Sequence, residues 1–448
     1  MNTPNHIYHI FPLGALRKEE SGYRNIATLA EWIPHLQSLH IDSVLLGPVF
    51  QSETHGYDVT DLRRVDPRLG SWEDLQHLIQ AFHAAGIGVI LDAVWNHTSR
   101  MHYAYRDLLA LGPRSKYANW YRNVRWGVRN LCGDPFTVDA WAGFQDLPEL
   151  NLLEPDVQNE IIDIASLWIR ELGIDGARLD AADVMDRSFL RRLSDACHAQ
   201  KENFWMVGEV VNGDYRLWLR DAGLDSVTNY EGYKSLWSSF NDANFFEIAY
   251  SVNRLSGDDS GLCRGDKLLL FNENHDVARL ASVLKKPEHL YPLHLMHYTL
   301  PGIPSLYYGE EWGFQGVKGK TDDWDLRPAM PTIPPTKIPQ PDLLHNLQRL
   351  AEFHMDNVAL REGGYFPIFV SAEQIAFLRT CGKESLLVVV NASDKAVTLN
   401  LDLTKVNLVP GARRLLDVLN RDIPGVPLEK GHLKVSVPAY WGRVFSLC

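Results

Sequence analysis

From residue 6 to about 360, eight short apolar runs alternate with amphipathic helical patterns, and this alternation constrains the fold more than any other feature. The runs are HIYHIFPL, DSVLLGPVF, GVILDAVWNH, DGARLDAA, NFWMVGEVV, DSVTNY, KLLLFNENHD and PSLYYGEE. Between them, NIATLAEWIPHLQSLHI, SWEDLQHLIQAFHAAGI, DVQNEIIDIASLWIREL and SFLRRLSDACHAQ carry apolar residues at helical spacing. The second of these opens on a Ser/Glu cap pattern. Parallel strands joined by helices are covered on both faces. Eight such units predict an α/β fold, a (β/α)8 TIM barrel.

Two stretches break the rhythm. Between Thr98 and about Asn151 the connection is too long for a simple loop, which predicts a functional insertion or small domain after the third strand. Past Glu362 the helical patterns give way to short alternating runs such as QIAFLRTC, SLLVVVNAS and AVTLNLDL, the mark of a C-terminal antiparallel β-sandwich. The expected division is a barrel from 1–97 and 152–361, an insertion at 98–151 and an all-β domain at 362–448.

Composition narrows the partners. A formal net charge of −12 repels polyanions, so neither nucleic acid nor an anionic membrane is an expected partner. The five cysteines are scattered and form no CxxC pair, which fits a reducing compartment and offers no zinc site. The start, MNTPNHIYHIFPLG, has neither a basic n-region nor a long apolar h-region, and a cytoplasmic protein is expected. Aromatic residues reach 10%, which suits a ligand with flat apolar faces and polar edges, such as a sugar, and equally suits a well-packed core.

Several strand candidates end in polar groups. LDAVWNH ends in Asn96 and His97, ARLDAAD carries Arg178 and Asp180, MVGEVV carries Glu209, and FNENHD ends in His275 and Asp276. In a (β/α)8 barrel the C-terminal strand ends build the active-site face, so these segments should converge. A single Asp at a strand end is usually a helix cap; four such segments in barrel order are not. Paired carboxylates among aromatics suit glycoside hydrolysis, in which one carboxylate attacks the anomeric carbon and another protonates the leaving oxygen. Arg178, two residues from Asp180, would keep that carboxylate ionised. Glu209 lies between FWMVG and VV, an apolar setting suited to an acid.

At this point the motifs resemble the α-amylase family of retaining glycoside hydrolases over almost the whole chain. DAVWNH, GARLDAAD, GEVV and NENHD look like its four conserved regions, in order. HGYDVTD, VDPRLGSWEDL and LPGIPSLYYGEEWG look like further segments. The resemblance implies that Asp180 is the nucleophile, Glu209 the acid/base and Asp276 the stabiliser of the transition state. It implies that Arg178 orients Asp180 and that His97 and His275 bind the sugar at the cleavage subsite. Tyr57 would stack beneath that sugar through its ring, so Tyr57→Phe should be mild. His55 and Asp58 belong to the same motif. Asp323 and Arg327, four residues apart in TDDWDLRPAM, would grip the next sugar, with Asp322 and Asp325 as competitors for the acidic place. The insertion would be the family's domain B.

The stretch DAADVMD lacks the Lys-His pair of many secreted α-amylases and is similar to the neopullulanase and cyclomaltodextrinase branch. LPELN, at Leu147–Asn151, is intermediate between several forms, so bond specificity stays open between α-1,4-glucan hydrolase, neopullulanase-type hydrolase, α-glucosidase and transglycosylase. The expected partner is an α-glucan oligosaccharide. The barrel pattern starts without that branch's N-terminal β domain, which leaves the oligomeric state open with a monomer favoured. No cofactor is required and no residue is assigned to a metal; calcium at Asn96, a ligand in many members, stays open.

Overall fold

The computed structural model describes residues 3–18, 21–320, 322–406 and 414–447. The eight runs form one parallel sheet: β1 Ile7–Ile10, β2 Ser43–Leu46, β3 Gly88–Ala93, β4 Gly176–Leu179, β5 Trp205–Gly208, β6 Ser226–Val227, β7 Leu269–Phe271 and β8 Ile303–Tyr307. Their order is β6-β5-β4-β3-β2-β1-β8-β7. A parallel bridge from Thr228 to Leu269 joins the two ends. There the Asn229 N–H donates to the Leu269 carbonyl at 2.9 Å, which closes the barrel.

Strand alternation sorts the side chains into two layers. Ile7, Leu45, Ile90, Trp205, Val207, Leu269 and Ile303 form a small cluster of their own inside the barrel. Their neighbours Tyr8, Val44, Val89, Leu91, Ala177, Leu179 and Met206 face outward into the main core beneath the helices. Gly176 sits on the inner face, where a Cβ would meet the Trp205 carbonyl at 2.4 Å.

The helices follow the sequence pattern with one split. NIATLAEWIPHLQSLHI forms a 3₁₀ turn, Ile26–Trp32, and then a short α-helix, Ile33–Ser38. Pro34 lies in the first turn of that α-helix, where a missing N–H costs nothing. Helix Trp72–Ala84 carries a full capping box between Ser71 and Asp74. Between β3 and β4 the chain builds helix Tyr103–Leu111 and a hairpin of Arg125–Trp126 with Phe136–Thr137.

The C-terminal part is an eight-stranded antiparallel sheet: β9 Gly364–Val370, β10 Gln374–Cys381, β11 Glu384–Asn391, β12 Val397–Asp402, β13 Arg414–Asp417, β14 Val426–Glu429, β15 His432–Val437 and β16 Trp441–Ser446. It folds over a core of Ala376, Leu378, Leu387 and Val389 from one half and Leu399, Leu401, Leu433 and Val435 from the other. None of the described helices is long and apolar enough to cross a membrane.

A single buried cation fastens this sheet to the barrel. Arg379 on β10 donates to Thr299 O at 2.6 Å, Gly363 O at 2.8 Å, Leu360 O at 3.0 Å and Gly364 O at 3.2 Å. Thr299 ends one helix, and Leu360 and Gly363 lie at the end of another, so the guanidinium satisfies carbonyls that the helices cannot. Arg379→Met should strand these acceptors and cost about 3 kcal/mol in urea unfolding. Arg379→Lys should recover only part of the loss, because one ammonium cannot span four carbonyls. An unchanged unfolding midpoint in Arg379→Met would refute this role.

Candidate active site

The inner face of the barrel changes from apolar to charged toward the C-terminal ends of the strands. On β4 the inward positions are Gly176 and Arg178, and Asp180 continues the alternation. On β5 they are Trp205 and Val207, followed by Glu209. On β3, Ile90 is followed by Asp92, which stands beside Arg178 in the parallel register. Arg178 is therefore flanked by a carboxylate from each of three neighbouring strand ends. Its Nη1 lies 2.9 Å from Asp92 Oδ1 and 2.9 Å from Asp180 Oδ1, and its Nη2 lies 2.9 Å from Glu209 Oε2. Ala181, held at φ 50°, donates its N–H to Glu209 Oε2 at 3.1 Å, and the Tyr230 hydroxyl donates to Oε1 at 3.2 Å. A left-handed alanine beside a carboxylate of this cluster fits the tendency of strained backbone to gather at functional sites.

The electrostatics differ from the sequence expectation. Burial pushes Asp180 up well above the usual carboxylate range; Arg178 pulls it down, while Glu209, Asp92 and Asp276 push it up again. Burial raises Asp92 as well, against the pull of Arg178 and His275. Arg178 does not hold Asp180 ionised by itself, because one guanidinium is divided among three carboxylates. Asp180 and Asp92 are both raised and do not titrate independently. Glu209 is not in an apolar setting either: its partners are Arg178, the Ala181 N–H and the Tyr230 hydroxyl.

Asp276 follows the opposite course. Burial pushes it up, but His275, Arg327 and Arg178 together outweigh burial and hold it well below the usual range. His275 Nε2 lies 2.9 Å from Asp276 Oδ2, and Arg327 Nη2 lies 3.2 Å from Oδ1. Arg327 Nε also donates to the His275 carbonyl at 3.1 Å. Of the three candidate acids nearby, Asp323 is the one beside Arg327, at 3.8 Å; Asp325 is exposed, and Asp322 accepts the Trp324 N–H.

Tyr57 and the two histidines complete the floor. The Tyr57 ring stacks on His275 at 5.3 Å and 10°. Its hydroxyl donates to Asp92 Oδ2 at 2.8 Å and also meets His275 Nε2. The hydroxyl is thus committed to the charged network, a role that the ring reading of Tyr57→Phe did not include. His97 donates Nε2–H to the Tyr57 carbonyl at 3.1 Å, and burial lowers its pKa to about 4, so it is neutral. His97 Nδ1 and His275 Nδ1 are buried without a protein partner among the described residues. Asp58 fastens its own loop, accepting from the Thr54 N–H at 2.7 Å and the His55 N–H at 3.2 Å.

Asp92 and Tyr230 were not singled out from the sequence. Asp92 could have been found: it opens DAVWNH two residues after Ile90, so it shares the inner face. Tyr230 carried no such signal, since it depends on where β6 ends and the helix capped by Asn229 begins. At Asn96 the carbonyl accepts the Leu150 N–H at 3.0 Å, and the side-chain Nδ2 is buried without a protein partner among the described residues.

The chain is similar in sequence and fold to several known proteins. The chain is 30% identical over 381 residues to the cyclomaltodextrinase of Thermoanaerobacter pseudethanolicus, covering 83% of this chain and 64% of that one. It is 28% identical over 429 residues to neopullulanase 2 of Thermoactinomyces vulgaris, covering 92% and 69%. A crystal structure of the Nostoc punctiforme debranching enzyme superposes with a TM-score of 0.82 at 26% identity, covering 99% of both chains. The chain thus spans a little under two thirds of the cyclomaltodextrinase it matches. The model of the alpha amylase catalytic domain matches residues 10–340, from the first barrel strand to beyond the last, and the chain belongs to the α-amylase family.

Proposed function

We propose that this protein is a retaining glycoside hydrolase that cleaves α-1,4-glucosidic bonds of maltodextrins in the cytoplasm. The observation that supports the reading is the Arg178 fork, whose two nitrogens each lie 2.9 Å from a carboxylate, Asp180 and Glu209, at the C-terminal ends of the strands. Asp180 attacks the anomeric carbon as Glu209 gives its proton to the departing glycosidic oxygen, so the C–O bond breaks as the glycosyl–enzyme ester forms. Glu209, now a carboxylate, takes a proton from water; the hydroxide oxygen displaces Asp180 and releases the sugar. Asp276, kept ionised by His275 and Arg327, accepts hydrogen bonds from sugar hydroxyls as positive charge builds on the ring. Neutral His97 and the buried nitrogens of both histidines suit an uncharged, hydroxyl-rich ligand. The names cyclomaltodextrinase and neopullulanase, borne by relatives, support this substrate class, and the name of a Bacillus subtilis relative, intracellular maltogenic amylase, supports the compartment.

A second reading is cleavage of α-1,6 branch points, favoured by the end-to-end match to the Nostoc debranching enzyme. Transfer of the glycosyl group to a sugar hydroxyl is a third outcome of the same intermediate. Chromatography of products from maltodextrins, cyclodextrins, pullulan and isomaltose separates the three. The first reading expects maltodextrin cleavage to exceed isomaltose cleavage; a preference for isomaltose would overturn it. Asp180→Asn and Glu209→Gln should each leave under a few per cent of kcat with an unchanged melting curve. Substantial residual turnover in either would assign the chemistry elsewhere.

The charge cluster also sets the pH profile. A nucleophile must be ionised, and Asp180 is raised, so activity should fall as pH drops through a value above the ordinary carboxylate range. Asp92→Asn removes one neighbouring negative charge and should move the acid limb of kcat/KM down by about one pH unit. A limb that stays in place or moves up would contradict the shared cluster. Tyr57→Phe should lower kcat by about tenfold or more, the scale of one lost hydrogen bond to a charged group. Wild-type kcat in Tyr57→Phe would return the role to the ring.

A further inference from the structure

We propose that Phe11, the residue after β1, is a positioning residue for Asp276: its ring is the face on which Arg327 and His275, the two side chains that hold that carboxylate, both rest. The inference rests on the hydrolase reading above and deepens it, by giving a task to a fully buried side chain that has no polar atom.

The geometry joins four segments of the chain. The Arg327 guanidinium carbon lies 4.5 Å from the centre of the Phe11 ring, a cation over the negative face of an aromatic. The His275 ring is 5.3 Å from the same ring with planes inclined by 21°, and the Tyr57 ring is 6.3 Å away at 29°. Phe11 follows β1, Tyr57 lies between β2 and β3, His275 follows β7 and Arg327 lies beyond β8.

A guanidinium supported on its face keeps its N–H groups for oxygens in its own plane. Arg327 spends them on the loop that carries Asp276: Nε donates to the His275 carbonyl at 3.1 Å and Nη2 to Asp276 Oδ1 at 3.2 Å. The second of these is long for a hydrogen bond between two ions, so the contact with Asp276 alone holds the cation loosely. The ring supplies the other hold, in a site where water does not compete.

The ring is itself fixed. A Cβ on Gly47, just past β2, would meet Phe11 Cδ2 at 2.9 Å, so the backbone there is pressed against the ring. Phe11 O accepts the Gly14 N–H at 3.0 Å and the Ala15 N–H at 2.9 Å. A Cβ on Gly14 would lie 2.7 Å from Arg327 O, and the Met330 N–H donates to Ala15 O at 3.0 Å. The turn after β1 and the segment that carries Arg327 are thus packed backbone against backbone, and the ring and the cation cannot shift independently.

A ring that only fills space acts through its volume, whereas a ring that seats a cation acts through the negative charge of its face. The test varies that charge at nearly constant volume, with mono-, di- and trifluorinated phenylalanine placed at Phe11 by stop-codon suppression in the full chain. Maltodextrin kcat should fall with each added fluorine, by about tenfold across the series, with KM within about twofold and an unchanged melting temperature. Phe11→Leu should lose at least as much, yet add less than about twofold to the loss caused by Arg327→Met, because the two residues act through one contact. In a crystal structure of Phe11→Leu, Arg327 should have left hydrogen-bonding reach of Asp276. Wild-type kcat throughout the fluorinated series, a full further loss in the Arg327→Met background, or an unmoved Arg327 would each overturn the role while the hydrolase reading stands. If wild type cleaves no α-glucan but Arg327 leaves Asp276 in Phe11→Leu, the positioning stands and the hydrolase reading falls.

Discussion

The burial of Arg178 is the constraint on which the rest of the structure depends. The residue is only 4% exposed, on the inner face of a barrel strand, where an unpaired charge would be intolerable. Its partners come from the three adjacent strands β3, β4 and β5, and the parallel register sets Asp92 directly beside it. Each carboxylate needs the cation as much as the cation needs them. A shift of one residue in any of these strands would turn a charged side chain outward into the apolar layer under the helices. The same ion cluster that positions the reactive groups therefore also penalises every other register of the barrel's middle strands.

This explains what the sequence could and could not reveal. Spacing by two was readable: Arg178 and Asp180 share a face, and so do Trp205, Val207 and Glu209. The environment of Glu209 was misread because its flanks on the chain are apolar on both faces, whereas its polar partners, Arg178, the Ala181 N–H and the Tyr230 hydroxyl, come from other elements, which chain neighbours do not reveal. The eight strand runs were legible because buried parallel strands are apolar throughout. The split of the first helix was not, since its apolar spacing runs unbroken through Pro34.

Acidic residues at strand ends are also not equivalent. Glu310 and Glu311 follow β8 and are carboxylates at least as buried as Asp180, yet they serve the scaffold. Glu310 meets Asn272, His294 and the Tyr307 N–H at 2.9–3.0 Å. Glu311 meets the Gly309 N–H at 2.9 Å and His35 at 2.8 Å. Glu273, one turn of chain from Asp276, is absorbed by Arg279 at 2.6 Å. Past Phe271 the strand ends and the alternation with it, so parity cannot tell Glu273 from His275 and Asp276. Only the folded backbone, or a resemblance to chains of the same fold, separates the acids that face the pocket from those that fasten loops.

The inserted segment is mechanically part of the site. Leu147–Asn151, the LPELN strip, lies between the end of β3 and the rest of the insertion. On one side it exchanges hydrogen bonds with Asn96 O and the Thr98 N–H at 3.0 and 3.1 Å, bracketing His97. On the other it bridges to Tyr121 and Ala140. Pro148 and Leu150 take part on both sides, so the strip cannot move without moving His97 and the Trp141–Phe144 turn together. Sequence variation in this strip can therefore act through the backbone alone, by shifting together a buried, uncharged histidine and an exposed aromatic pair.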